Sequence, residues 1–179
     1  MTSFSHPEPV LVRDLLLSQF DLALALAAYH LDGLSTEECL WRPASRGLHV
    51  ELNAMGLWRA EWPDTEGYDL GPPSIAWTTW HIVFWWRTVF HGLDGAAVPD
   101  PQTVDLPGTA DGVRSEIKGL SERWRTVLRT EDLDVPRLGS WPLPEAPLAR
   151  TAGWLNVELA KNAAEIGLVR FLHGAASQS

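Results

Sequence analysis

Twenty consecutive residues, Ser74 to Leu93 (SIAWTTWHIVFWWRTVFHGL), constrain this chain most. Ser74 follows two prolines and suits an N-cap, because its hydroxyl can accept from the first free backbone N–H groups. Gly92 marks a stop. At about 100° per residue, Ser74, Thr78, His81, Trp85 and Thr88 share one face, and the other faces are Ile, Val, Phe and Trp. A helix apolar nearly all round belongs in a core or at a subunit contact. The polar residues in the run, His81 and Arg87 among them, argue against a membrane span.

The rest of the composition narrows the classes. The chain has 179 residues and a net charge of −9, with Lys+Arg 14 against Asp+Glu 23. No basic cluster is present to neutralise phosphates, so no nucleic acid partner and no membrane partner are expected. One cysteine, Cys39, excludes an internal disulfide and a thiolate zinc site. The first residues show no basic region or cleavage site, and a cytoplasmic protein is the simplest reading. Ten tryptophans predict an aromatic core or pocket in which indole N–H groups find partners.

Residues 1–8 read as a loose leader. Apolar residues at helical spacing predict a helix over 9–30, with the second half (ALALAAY) the more buried. Ser35 and Glu38 read as a capping box opening a short turn before Pro43. The stretch 44–73 is long for a connection; LHVEL and LWRAEW within it can pair as a short β-hairpin. After the helix over 74–92, a third over 109–130 begins at Thr109 and carries Val113, Ile117, Leu120 and Trp124 as a stripe. A last helix spans 148–173. Four long helices predict an all-α four-helix bundle.

On the last helix, Thr151, Trp154, Leu155, Glu158, Asn162, Glu165, Val169 and His173 fall along one line. Ala160, Ala163, Ala164, Gly167 and Phe171 lie opposite, small enough for a neighbour to approach closely. Two readings of the polar line stand. It is solvated, with Glu158–Lys161 and Lys161–Glu165 as surface pairs. Or it points Glu158 and Asn162 inward toward His81, an arrangement that can hold a metal in a bundle. His81 is likewise either a satisfied core histidine or a ligand. Cys39 reads as a small hydrophobe, since no neighbouring pattern activates it.

Three segments resemble the DinB-like (DinB/YfiT-like) four-helix bundles: LSTEECLWRP (34–43), SIAWTTWHI (74–82) and WLNVELAKNAAEIGLVRFL (154–172). The resemblance implies one bundle domain over 1–179. It puts His81 at the family's first metal position, and Glu158 and Asn162 where the family usually has two histidines. It implies a metal-dependent transferase or hydrolase acting on small molecules, sometimes with a low-molecular-weight thiol such as mycothiol or bacillithiol. On that reading His81, Glu158 and Asn162 hold a divalent metal ion (zinc, nickel or manganese). Glu165 is the catalytic base or a supporting partner. Trp77, Thr78, Trp85 and Trp154 line the pocket, and 44–73 covers it. The departure from the family triad leaves a second outcome: a hydrogen-bonded cluster without metal, in a non-catalytic ligand-binding protein or a homodimer built on the Trp-rich helix.

Overall fold

The computed structural model describes residues 9–63, 67–135, 143 and 145–177. The leader expected over 1–8, and parts of the 44–73 and 131–147 connections, lie outside them. The helices are α1 (Pro9–Leu31), α2 (Thr36–Leu40), α3 (Ile75–Leu93), α4 (Ala110–Thr130) and α5 (Leu148–Ala176). The hairpin pairs β1 (Val50–Leu52) with β2 (Trp58–Ala60), antiparallel, with Glu51 opposite Arg59. The fold is therefore all-α with a small two-stranded insertion, as the sequence predicts.

Local chemistry sets the helix starts. The Ser74 hydroxyl accepts from Trp77 N–H at 3.2 Å, and Thr109 does the same for Gly112 at 3.1 Å. Ser35 caps α2, but the box is only half closed, because the Glu38 carboxylate turns away to Arg170. Proline precedes α5 and offers no side-chain cap. The connection's own carbonyls serve instead, Val135 to Leu148 N–H and Leu133 to Ala149 N–H.

The long helices form a ring in the order α1, α5, α3, α4. Asn156 donates to the Leu16 carbonyl and Arg170 to that of His30, so α1 and α5 run parallel. Arg87–Glu116 and Arg123–Asp94 contacts make α3 and α4 parallel. Trp85 meets Trp154, farther down the chain from where His81 meets Asn162, which sets α3 against α5. Gly167 makes room for α1 against α5: a Cβ there would overlap the His30 ring.

Fifteen of the nineteen α3 residues are buried, so the Trp-rich helix is core and offers no dimer face. The second half of α1 departs from expectation. Leu22 and Tyr29 are each 75% exposed, and Leu26 is also exposed. A helix packed on two neighbours buries only one side, whatever the composition of the other. Phe171, expected on a close-packing side of α5, is likewise exposed.

Arginines tie off the helix C-termini, whose last carbonyls lack partners within the helix. Arg13 donates to the Leu128 and Glu131 carbonyls, and Arg114 to those of Leu31 and Leu34. Arg170 donates to the His30 and Asp32 carbonyls at 2.9 and 2.8 Å and pairs with Glu38 at 2.8 Å, joining α5, α1 and α2. Arg170→Ala is expected to lower unfolding stability by about 2 kcal/mol in urea titrations. Arg170→Lys should recover only part, having no planar fork. A loss under about 0.5 kcal/mol in Arg170→Ala would show that water replaces the clamp.

Candidate functional site

The first half of α3 and the middle of α5 face each other beneath the segment that follows β2. A cavity of about 500 Å3 lies there, walled by Leu48, Trp62, Leu70 and Trp77, with His81, Lys161 and Glu165 as its polar groups. Trp77 is fixed by its N–H, which donates to the Glu61 carbonyl at 2.7 Å. Its ring stacks on His81 at 5.0 Å and 17°, and Trp62 lies nearly parallel to the imidazole at 6.4 Å.

His81 is 8% exposed. Trp85, one turn on, donates its Nε1–H to His81 Nε2 at 2.8 Å. That contact decides the tautomer. Nε2 must present a lone pair, so the ring proton sits on Nδ1. Burial, then the nearby Lys161 ammonium, pushes the imidazole down to about 3, while the Asn162 amide pulls the other way. Desolvation therefore outweighs any attraction of the flanking indoles for an imidazolium.

Asn162 is 1% exposed. It sits beside His81, yet neither its amide atoms nor His81 Nδ1 complete a well-directed hydrogen bond. Glu158 points inward and its carboxylate meets Lys161 Nζ at 2.8 Å. The pair is close but off-axis, so it balances charge without a directed bond. Glu158 and Asn162 border a separate void of about 10 Å3 together with Trp85 and Trp86, room for one water.

The metal set predicted from the sequence is thus brought close but not to one point. His81 faces the large cavity, whereas Glu158 and Asn162 face the small void. Zinc, nickel or manganese would need lone pairs from imidazole and carboxylate, the two competent ligands here. The first is taken by Trp85 N–H and the second faces an ammonium. An amide oxygen alone is a poor substitute. These residues do not fit a divalent metal as they stand. Among the described residues, no group of three or more His, Cys, Asp and Glu is gathered for one either.

Of the expected pocket residues, Trp77 lines the large cavity and Trp85 the small void. Thr78 turns back to the Ser74 carbonyl, fully buried. Trp154 packs edge-on against Trp85 at 4.8 Å. Glu165 does reach the large cavity, and burial raises its carboxyl above the ordinary range against the pull of Lys161. The sequence reading missed Trp62 and Lys161 as cavity residues. The cover expected from 44–73 was the signal for the first. The i,i+3 spacing to Glu158 was the signal for the second, equally readable as a surface pair. Cys39 is buried, and burial pushes its thiol up to about 12, so it is an inert packing group. No helix among the described residues is long and apolar enough to cross a membrane.

Compared with family models, residues 19–166 match that of the DinB superfamily. No curated protein and no solved structure matches the chain.

Two outcomes test this site. Trp85→Phe keeps the aromatic body but strands the His81 lone pair, and should cost about 1–3 kcal/mol of stability in urea titration. The second concerns pH. The folded His81 resists protonation that the unfolded chain accepts from 6.5 downward. Its contribution is complete above pH 6.5 and falls as pH drops toward about 3. Glu165, shifted upward, favours the folded state at low pH instead, and loses that contribution as pH rises through its folded value. His81→Phe should flatten the acid limb of the stability profile relative to wild type, and an unchanged limb would contradict the assignment.

Proposed function

The chain belongs to the DinB superfamily, and from that premise we propose that it binds a small organic molecule in the Trp62–Trp77 cavity without a divalent metal. The observation that carries this reading is the Trp85 N–H on His81 Nε2, which commits the lone pair a metal would need. A volume of about 500 Å3 is in the range of small-molecule sites. Indole faces, Leu48 and Leu70 suit a flat or apolar body. The Lys161 ammonium offers a donor to its polar end. Glu165, whose carboxyl exchanges its proton closer to neutrality than an ordinary glutamate, is the acid–base group of this reading. The metal-dependent transferase or hydrolase chemistry implied by the family resemblance, with or without a thiol, requires more. His81 would have to leave Trp85, and Glu158 would have to leave Lys161.

Metal analysis and thermal denaturation of untagged protein test the choice. The expected result is little bound metal and no rise in Tm with zinc, nickel or manganese. A small-molecule library should contain compounds that raise Tm by about 5–10 °C at saturating concentration. That rise should be lost in Lys161→Gln. A zinc-dependent rise in Tm that disappears in His81→Ala would overturn the reading in favour of a metal site.

A second surface supports a homodimer. Leu15, Leu22, Leu26 and Tyr29 of α1 and Val157, Leu168 and Phe171 of α5 are all exposed, and these helices are parallel neighbours. The two stripes form one apolar face of the kind that pairs with a copy of itself. Light scattering should give a dimer mass for wild type and a monomer mass for Leu22→Glu/Leu168→Glu. A monomeric wild type would remove this reading.

A further inference from the structure

The Trp62–Trp77 cavity carries its charges on one helix. Lys161 and Glu165 stand one turn apart on α5, and both line the cavity. Such positions hold their Cβ atoms about 5–6 Å apart on one helix face. Two groups of opposite sign thus sit side by side in a wall otherwise built from apolar side chains and the neutral His81 ring. His81 adds no ionic group, since Trp85 holds its Nε2 and its Nδ1 is buried.

The two charges do not satisfy each other. Lys161 Nζ lies 2.8 Å from Glu158 instead, and the off-axis approach leaves Glu158 Oε2 without a directed hydrogen bond. The ammonium is charge-balanced there, while its three N–H donors stay uncommitted. Glu165 makes no hydrogen bond and no contact ion pair among the described residues; Lys161 and Glu158 act on it only across a longer gap. Its carboxyl is raised with burial as the largest cause, as for a carboxylate short of water and of a counter-charge. Two carboxylates against one ammonium leave this side of the cavity net negative. Indole walls attract a cation in the same sense.

Resting on the pocket reading above, we infer that the ligand is a small primary amine with an oxygen acceptor near the nitrogen and an apolar or aromatic body, as in an α-amino acid or its alcohol. Its ammonium pairs with Glu165, its oxygen accepts from Lys161, and its body lies against Trp62 and Trp77. A carboxylic acid lacking the amine would leave Glu165 without a partner and add negative charge to a negative wall. An ammonium is also a group with which Glu165 can exchange its proton.

Isothermal titration of the intact protein near pH 7 tests this with L-phenylalanine and L-phenylalaninol. Each is compared with its counterpart lacking the amine, 3-phenylpropionate and 3-phenylpropanol. Saturable one-site binding of at least one amine is expected, about tenfold tighter than its counterpart. Glu165→Gln, an isosteric change at a half-buried position, should abolish that preference with the circular dichroism spectrum unchanged. Glu122→Gln, at an exposed position of α4, should leave the preference in place. Equal binding of amine and counterpart, or a preference that survives Glu165→Gln, would overturn the amine inference and leave the pocket reading standing. No saturable heat with either amine would overturn it as well; the pocket reading falls with it only if no library compound raises Tm.

Discussion

The structure depends on the burial of α3, fifteen of whose nineteen residues are shut off from water. Its buried polar groups can find partners only within the protein, and two of its indoles do so by fastening other parts of the chain. Trp77 N–H takes the Glu61 carbonyl, and Trp80 N–H takes that of Val104 at 2.9 Å. These bonds pin the segment after the hairpin and the loop before α4 against the bundle. Thr78 and Thr79 turn back to carbonyls of their own helix. A buried donor left without a partner costs about 1–3 kcal/mol. The irregular connections are therefore held in place by the helix they cover.

The same constraint governs His81. An imidazole this deep is neutral, and a neutral ring has one donor and one acceptor to place. Trp85 satisfies the acceptor. Lys161 provides the positive charge nearest the site, tethered to α5 and balanced by Glu158. Where the family resemblance leads one to expect a metal cation held by His81, Glu158 and Asn162, this chain places an ammonium beside the carboxylate and an indole N–H on the imidazole. The consequence is a site suited to recognising a ligand through hydrogen bonds and aromatic faces.

Much of this was legible in the sequence. The bundle was, because Ser74, Thr109 and the stripe of α4 are local signals that the packing reinforces. The burial of His81 followed from the apolar run around it, whereas helical projection left open whether Asn162 turns inward or to solvent. The exposed sides of α1 and α5 did not, because a helix rich in leucine and alanine on every side carries no information about which side meets a neighbour. Lys161 was ambiguous for a related reason: an i,i+3 pair looks the same on a surface and at a cavity mouth. The place of Trp62 in the cavity wall and the arginine clamps on the helix ends arise from contacts between residues distant in sequence, which no local pattern encodes.

The central claim is that His81 is a neutral ring whose Nε2 lone pair is held by Trp85. Nitrogen-15 NMR of histidine-labelled protein reads this directly. The account predicts that His81 has its proton on Nδ1, with no titration between pH 5 and 8 and no shift on adding zinc. A proton on Nε2, a midpoint near the ordinary 6.5, or a zinc-induced shift would contradict it.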